Sequence, residues 1–282
     1  MHAAGLRGGG SARPVGSAWA VSSVRAADCG GVPAAARGSV PLAAAGGGAR
    51  AGVVRRAGGE VLRAEVGAVL RDGEGVRVGV LGDSGRGKSW LQKWAVSHVF
   101  SAGPVLVLDD KGARALYNGH EVSDLADLAR RPPVGRVVVF RGDVRAGVRV
   151  SPDTLAAYAV RLSLRRPPVR SCLVLDELAR AVSYPGVWRD PMGPLTRVFE
   201  EGRALGVSCL WGTQSGASVP REAWEQSGWL CIFRTAGRGL AYLGRVCGLD
   251  GPAMRALPGL GVGEWILYRR GVSSWDGVVY RV

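Results

Sequence analysis

The sequence has few lysines, histidines and cysteines, and it has no long apolar run. Because no stretch approaches about 20 uninterrupted apolar residues, the sequence predicts no membrane-spanning helix. None of the 5 cysteines belongs to a Cys-x-x-Cys pair or lies close to one of the 3 histidines, which argues against a zinc site. The odd number of cysteines argues against a disulfide framework and favours a reducing compartment, the cytoplasm.

The charge balance is strongly basic. Lys and Arg together number 37 against 23 acidic residues, which gives a formal net charge of +14. An anionic polymer such as nucleic acid is therefore a candidate partner. Almost all of the basic residues are arginine, an excess that codon bias in a GC-rich genome would also produce. A basic protein without a nucleic-acid partner is the alternative.

The first 52 residues differ in composition from the rest of the chain. Ala, Gly, Ser and Arg dominate them without a steady period, as in the run 43–48. Such a composition buries too little apolar surface to offset the entropy of the chain, so a disordered basic arm is predicted at 1–52. A single domain is predicted over 53–282.

Apolar segments alternate with helical segments from residue 53 onward. Strands are predicted at 76–81, 104–108, 136–140, 171–175, 207–211 and 229–233, with a closing hairpin at 264–268 and 277–281. Helices are predicted at 89–101, 122–130, 152–164 and 195–205. This alternation predicts an α/β fold with a mainly parallel sheet covered on both faces. Ligands bind such sheets at the carboxyl ends of the strands.

A glycine-rich loop follows the predicted strand 76–81. Residues 82–89, Gly-Asp-Ser-Gly-Arg-Gly-Lys-Ser, match the Walker A pattern G-x-x-x-x-G-K-[ST], and a helix follows them as the pattern requires. The glycines let backbone N–H groups approach phosphate oxygens. Lys88 is predicted to bind the β- and γ-phosphates of ATP, and Ser89 to bind Mg²⁺. Further nucleotide contacts are predicted from Gly82, Asp83, Ser84, Gly85, Arg86 and Gly87.

Two tryptophans lie four residues apart on the helix that follows the loop. Trp90 is assigned to the nucleotide site because it and Trp94 could contact the adenine. The alternative is a helix face packed into the core.

Two carboxylates end the predicted strand 171–175 and form a candidate Walker B motif. Asp176 is predicted to hold Mg²⁺ together with Ser89, and Glu177 to act as the general base that activates water. The alternative is a helix N-terminus, where two acidic side chains favour the helix dipole. The Walker A loop upstream favours the catalytic interpretation.

A polar pair, Thr213 and Gln214, follows the predicted strand 207–211. A glutamine side chain at this edge of the sheet could sense the γ-phosphate and position water. An ordinary surface turn is the alternative.

The segment 202–215, Gly-Arg-Ala-Leu-Gly-Val-Ser-Cys-Leu-Trp-Gly-Thr-Gln-Ser, is similar to the arginine, strand and glutamine segment of the FtsK/HerA superfamily. Members of this superfamily are ring-forming ATPases that pump DNA. Residues 109–112, Asp-Asp-Lys-Gly, resemble the D-x-K-G turn of coupling proteins, and 257–265 resembles a late proline–glycine turn. The resemblance covers roughly residues 75–270.

The resemblance implies a RecA-like P-loop NTPase fold of the ASCE type, with a mainly parallel central sheet and a C-terminal β-hairpin. It also implies that Gln214 is the sensor of the γ-phosphate and that Arg203 reaches the nucleotide of the neighbouring subunit. Arg234 and Arg141, which end two other predicted strands, are alternatives for this trans arginine. Arg203 could equally be a solvated cation at a helix end.

The resemblance further implies ATP and Mg²⁺ as cofactors and double-stranded DNA, held by its backbone, as a partner. A homo-oligomeric ring, expected to be a hexamer, would hydrolyse ATP between subunits. The compact size is most like the genome-packaging ATPases of tailless viruses, which would add a capsid or membrane-vertex protein as partner and the host cytoplasm or virion as location. Alternatives are a cellular HerA-like or conjugative motor and a nucleotide-switched assembly protein without catalysis. A small-molecule P-loop kinase is disfavoured by Glu177 together with Gln214.

Overall fold

The computed structural model describes residues 54–100, 103–109, 117–122, 137–141, 150–183, 193–271 and 275–282. The predicted basic arm at 1–52 and most of the predicted helix at 122–130 lie outside the described residues. The arm and the helix both stay predictions. The predicted domain boundary between residues 52 and 53 also stays a prediction. Val122 itself belongs to a short strand and not to a helix.

The described strands join into one ten-stranded sheet. In chain order they are β1 (Val54–Ala57), β2 (Arg77–Leu81), β3 (Val105–Asp109), β4 (His120–Val122), β5 (Val137–Arg141), β6 (Ser171–Leu175), β7 (Val207–Thr213), β8 (Trp229–Phe233), β9 (Glu264–Arg269) and β10 (Val278–Arg281). Their spatial order is β1-β10-β9-β8-β2-β7-β6-β3-β5-β4. Strand β9 is antiparallel to both neighbours, and the other pairings are parallel. The predicted parallel sheet and C-terminal β-hairpin are therefore confirmed.

Helices cover both faces of this sheet. The described helices are α1 (Gly58–Arg71), α2 (Lys88–His98), α3 (Pro152–Ser163), α4 (Leu178–Ala181), α5 (Pro194–Glu200), α6 (Gly202–Leu205), α7 (Arg221–Gln226), α8 (Gly237–Cys247) and α9 (Gly251–Ala256). The start of α3 shows how the sequence sets a boundary. Ser151 accepts a hydrogen bond from the Thr154 N–H at 3.1 Å, and Pro152 occupies the first turn, where its missing N–H costs nothing.

Two apolar clusters sandwich the sheet, one on each face. Helices α1 and α2 cover one face through side chains such as Leu62 and Leu91, and α3, α5 and α7 cover the other through side chains such as Leu155 and Phe199. The strands between them are buried on both faces, so they are continuous apolar runs. Among the described residues, no helix is both long and apolar enough to cross a lipid bilayer.

The cysteines in the central strands behave as small apolar residues. Cys172, Cys209 and Cys231 are buried in β6, β7 and β8. Burial raises the pKa of the Cys209 thiol to about 12, so it stays protonated and unreactive at neutral pH.

Several described elements were not predicted from the sequence: β1 and α1 at the N-terminal side, the short strand β4, and the helices α4, α7, α8 and α9. Helix α1 contains three glycines, which lowers its intrinsic helix propensity. Packing supplies the reason for the first of them. A Cβ added at Gly58 would lie 2.5 Å from the ring of Trp265, so glycine lets the helix approach the sheet closely. The predicted helix 195–205 is also divided at Glu201, into α5 and α6.

Strand order brings three strand ends together. Strand β7 lies between β2 and β6, with Leu81 opposite Thr213 and Leu175 opposite Trp211. The residues that follow β2, β6 and β7 therefore meet at one edge of the sheet, which we call the phosphate edge. We call the opposite edge, where these strands begin, the distal edge.

Candidate functional site

The loop at 82–89 has the backbone that its glycines predict. Gly82, Gly85 and Gly87 have φ angles of 139°, 71° and 105°, values that side chains with a Cβ rarely adopt. A Cβ at Gly82 would lie 2.7 Å from the Cβ of Phe233, whereas a Cβ at Gly85 would meet nothing within 4 Å. The loop is thus packed against the sheet where it starts and open where a ligand would enter.

Lys88 fixes a positive charge on this loop. Its side chain is buried, and its Nζ donates hydrogen bonds of 2.7 Å to the carbonyl oxygens of both Gly82 and Asp83. Neighbouring segments hold the loop in place. The Asp83 N–H donates to the Arg234 carbonyl at 2.9 Å, and the Gly263 N–H donates to the Arg86 carbonyl at 3.0 Å. A cation held in a glycine-rich turn before a helix suits phosphate oxygens.

Ser89 and Asp176 meet at the phosphate edge, although 87 positions separate them in the sequence. The Ser89 Oγ donates to Asp176 Oδ1 at 3.3 Å, and the Asp176 side chain is 2% exposed. Hydroxyl and carboxylate oxygens are the ligands that Mg²⁺ takes beside a nucleotide phosphate. The residues present therefore fit a magnesium ion at this point.

Glu177 and Gln214, the predicted base and sensor, are in contact. The backbone N–H of Gln214 donates to Glu177 Oε1 at 3.2 Å, and Glu177 is 6% exposed. Glu177 occupies the N-cap position of α4, yet its side chain makes no capping hydrogen bond there. The described hydrogen bond of this carboxylate therefore goes to the end of β7 and not to the N-terminus of α4.

Gln92 belongs to this site and was not predicted from the sequence. It lies one turn after Ser89 on α2 and is 1% exposed. We assign its amide nitrogen to the side of Asp176, because the reverse orientation would set its oxygen against acceptors and its nitrogen against donors. Nε2 then donates to Oδ1 at 3.1 Å, and Oε1 accepts from the Gly212 N–H at 3.2 Å. Its spacing of three residues from Ser89 was the available signal, because residues i and i+3 share one helix face.

Tyr117 lies near the same carboxylates, and no sequence pattern pointed to it. Its hydroxyl is buried and has no hydrogen-bond partner among the described residues. Burial raises the pKa of Tyr117 well above its ordinary value of 10, and the negative charges of Asp176 and Asp109 add to the rise. The phenol therefore stays neutral. Of the 109–112 turn, Asp109 is buried at the end of β3, and residues 110–112 lie outside the described part of the chain.

The two tryptophans of α2 differ in environment. Trp94 stacks on His98 with ring centroids 4.7 Å apart and packs against Gly59, as a residue of the helix interface does. Trp90 follows Ser89 directly and is 51% exposed, so packing into the core does not account for it. An exposed indole next to a phosphate loop is available to a nucleobase or to another protein surface.

The three candidate arginines lie in different places. Arg203 lies at the distal edge, about 20 Å from Gln214 along β7 at ~3.3 Å per residue. There it is 66% exposed and forms an ion pair of 2.6 Å with Glu74, which raises the pKa of its guanidinium. Arg234 adjoins the P-loop of its own chain, and its buried Nε has no hydrogen-bond partner within the described residues. Arg141 ends β5, and its side chain is outside the described structure.

The phosphate edge thus brings Lys88, Ser89, Asp176, Glu177 and Gln214 together, and it adds Gln92. The fixed cation of Lys88 could bind a phosphate chain, and the hydroxyl–carboxylate pair of Ser89 and Asp176 could hold a divalent ion. The second carboxylate, Glu177, is held by a backbone N–H and could activate water. Arg203 is the predicted site residue that lies elsewhere.

No protein-family model matches the sequence, and no curated protein matches it significantly. Solved structures do match. The genome packaging NTPase B204 from Sulfolobus turreted icosahedral virus 2, in complex with sulfate, superposes with a TM-score of 0.54 at 16% identity, over 70% of this chain and 92% of that one. Its complex with ATP-gammaS gives 0.54 at 15% identity, over 70% and 93%. The pCW3 conjugation coupling protein TcpA gives 0.51 at 16% identity, over 74% of this chain and 60% of TcpA.

At these identities the likeness establishes the fold. The described part of the chain has the mainly parallel P-loop fold that these solved structures share. The predicted fold class is confirmed, and the resemblance drawn from the sequence is confirmed at the level of the fold.

Proposed function

We propose that this chain is an ATP-driven DNA translocase that hydrolyses ATP between the subunits of a ring, and that its task is the packaging of a viral genome. The observation that carries the ATPase part is the meeting of two pairs at one edge of the sheet. Ser89 contacts Asp176 at 3.3 Å, and Gln214 contacts Glu177 at 3.2 Å, both next to the loop that fixes Lys88.

The phosphate-binding step follows from the loop. Lys88, fixed in the loop by two carbonyls, would transfer its hydrogen bonds to the β- and γ-phosphate oxygens of ATP. Ser89 and Asp176 would hold Mg²⁺, which when bound neutralises charge that develops on the phosphates. Trp90, exposed beside the loop, is assigned to the adenine. Each of these groups is set in place by the fold before the ligand arrives.

The hydrolytic step would belong to Glu177. Its carboxylate takes a proton from water while the water oxygen bonds to the γ-phosphorus, and the bond from that phosphorus to the β–γ bridging oxygen breaks, releasing ADP. The hydrogen bond from the Gln214 N–H orients this carboxylate. The Gln214 side chain, at the end of the same strand, would then sense whether the γ-phosphate is present.

The ring is supported by the position of Arg203. Arg203 lies at the distal edge, away from the phosphate loop of its own chain, and its side chain is exposed, so we assign it to the nucleotide of a neighbouring subunit. DNA as partner is supported by the net charge of +14. The exposed turn after α3, with Arg165 and Arg166, offers cations for the sugar–phosphate backbone without reading sequence. We place such a protein in the host cytoplasm or at the virion.

The test is the steady-state ATPase rate with and without double-stranded DNA, together with the mass of the assembly. We expect an oligomer whose ATPase rate is raised by duplex DNA. Replacement of Lys88 by Ala should abolish hydrolysis, whereas Lys93→Ala on the same helix should not. A monomer whose hydrolysis ignores DNA would contradict the proposal, and a wild-type protein that binds ATP without turnover would favour an assembly protein switched by nucleotide.

A conjugative or HerA-like DNA-pumping ATPase is the second candidate, because the fold is also that of the coupling protein TcpA. Both candidates share the chemistry at the phosphate edge and differ in the process for which DNA is moved. Capsid genes beside the coding sequence would favour packaging, and relaxase or nuclease genes would favour the second candidate.

A further inference from the structure

We propose that Gln92 is a positioning residue that ties the metal-binding carboxylate of Asp176 to the end of β7, where Gln214 lies. The inference rests on the proposed ATP site and adds to it a residue that holds the metal ligand in place.

The first argument is burial. Gln92 is 1% exposed and lies on α2 next to the fully buried Leu91, on a helix whose inner face is otherwise mostly apolar. A buried amide is tolerated where both its donor and its acceptor are satisfied. Gln92 meets this condition through Asp176 on one side and Gly212 on the other.

The second argument is the atom that Gln92 contacts. Asp176 Oδ1 receives the Gln92 amide at 3.1 Å and the Ser89 hydroxyl at 3.3 Å. A metal ion would take up the Ser89 oxygen, whereas the amide has no role as a ligand there and keeps its bond to the carboxylate. A donor of this kind fixes the orientation of a metal-binding carboxylate, and loss of such partners typically weakens metal affinity about 10–100-fold.

The third argument is the partner on β7. Gly212 donates its N–H to Gln92, and a Cβ added at Gly212 would lie 2.7 Å from the Asp176 carbonyl oxygen and 2.8 Å from the side-chain amide of Gln92. Glycine thus permits the close approach. Two residues later, the Gln214 N–H holds Glu177. The end of β7 is therefore bonded to both carboxylate residues, to one directly and to the other through Gln92.

The experiment compares Gln92→Met, which removes both hydrogen bonds at similar volume, with Leu91→Met, a change on the same helix within the buried apolar cluster. The probe is a fluorescent, non-hydrolysable ATP analogue, whose affinity is measured in EDTA and across a Mg²⁺ titration. We expect Gln92→Met to raise the Mg²⁺ concentration for half-maximal tightening about 10-fold or more. Affinity in EDTA should stay within about twofold of wild type, because Lys88 and the loop are untouched.

An unchanged Mg²⁺ requirement in Gln92→Met would overturn the inference, as would an equal rise in Leu91→Met, since that would mean general loosening of α2. If Gln92→Met does not fold, Gln92→Asn replaces it. Its amide is one methylene too short to reach both partners, so the Mg²⁺ requirement must rise there as well. Because the readout is binding, DNA-independent or absent hydrolysis would count against the proposed function alone.

Discussion

The two edges of the sheet carry their charged residues in opposite ways. At the phosphate edge, charged side chains are buried and hydrogen-bonded to fixed partners. Lys88 bonds to carbonyl oxygens of the loop, Asp176 to the Ser89 hydroxyl and Glu177 to the Gln214 N–H. At the distal edge they are exposed, as Arg166 is, or form surface ion pairs, as Arg203 does with Glu74.

This difference in burial suits the two edges to different functions, catalysis and contact with other molecules. Buried groups with fixed partners are preorganised, which chemistry on a phosphate requires. Exposed arginines on flexible stems suit contacts with a partner that moves along the surface, such as a nucleic-acid backbone or a neighbouring subunit. We therefore assign catalysis to the phosphate edge and contacts with other molecules to the distal edge, and the predictions below test that division.

Among the variants that compare the two edges, the largest change in ATPase rate is expected from Arg203, which lies at the distal edge and would act on the nucleotide of a neighbouring subunit. Arg203→Ala should lower ATP hydrolysis by the assembled protein about 10³-fold, because an arginine that neutralises transition-state charge from a neighbouring subunit contributes that much. Each subunit's own phosphate edge stays intact, so mixing Arg203→Ala with Lys88→Ala should restore part of the activity. The measurement is the steady-state rate of each variant and of the mixture.

Glu74→Gln is the matched control, since it removes the ion pair and leaves the arginine in place. It should retain most of the activity. A mixture that regains nothing, or a Glu74→Gln protein as inactive as Arg203→Ala, would contradict a trans role and leave Arg203 as a structural cation.

At the phosphate edge, Glu177→Gln should lower hydrolysis at least about 10²-fold, because the amide cannot take a proton from water. The hydrogen bond from the Gln214 N–H can still be accepted, so nucleotide affinity should be retained. Single-turnover hydrolysis and equilibrium binding of ATP measure the two quantities. Glu201→Gln, which alters an exposed carboxylate paired with Arg197, should change neither. Comparable rates for Glu177→Gln and wild type would remove Glu177 from the mechanism.

Sequence patterns predicted the parts of the site that are local in the chain. The loop at 82–89, the carboxylates after β6 and Gln214 after β7 each stand at or shortly after the end of a strand that the apolar pattern predicted. The carboxyl ends of parallel strands share an edge, so their convergence could be expected without knowing the strand order.

The remaining features depend on which strands are neighbours, and that order is absent from local patterns. Gln92 joins Asp176 to Gly212 only because β7 lies between β2 and β6. Tyr117 reaches the carboxylates through tertiary packing alone. Helix α1 escaped prediction because its three glycines weaken the helical pattern. The close approach of aromatic rings explains two of them, Gly58 beside Trp265 and Gly59 beside Trp94.

A smaller effect is expected at the exposed turn of the distal edge. Replacing Arg165 and Arg166 together by Gln should weaken duplex DNA binding about tenfold at moderate salt. It should also reduce the slope of log affinity against log salt by about 2, since each lost phosphate contact removes ~0.9. The basal ATPase rate without DNA should not change, because the turn is remote from the phosphate edge.

The matched control for this turn removes the same charge elsewhere. Arg197 and Arg221 are surface arginines paired with carboxylates on their own helices. Replacing both by Gln should affect DNA binding much less. Equal losses in the two double variants would show that DNA responds to net charge and not to this turn.

The smallest effects should come from single glycines, one at each edge. Gly85 and Gly73 have φ angles of 71° and 90°, so Ala at either position should cost about 1–2 kcal/mol of stability and lower the Tm by a few degrees. A Cβ at Gly73 meets only the flexible end of Arg170, and a Cβ at Gly85 meets nothing within 4 Å. Similar thermal shifts are therefore expected from calorimetry.

Nucleotide affinity should distinguish these two glycines. Strain at Gly85 alters a backbone whose N–H groups approach phosphate, so Gly85→Ala should bind ATP several-fold more weakly, and Gly73→Ala should bind it as wild type does. Equal affinities in the two variants would mean that the loop tolerates a side chain at its open end. An equal loss of ATP affinity in both variants would mean that the two edges are coupled through the sheet. The assignment of catalysis to one edge and of contacts to the other would then be wrong.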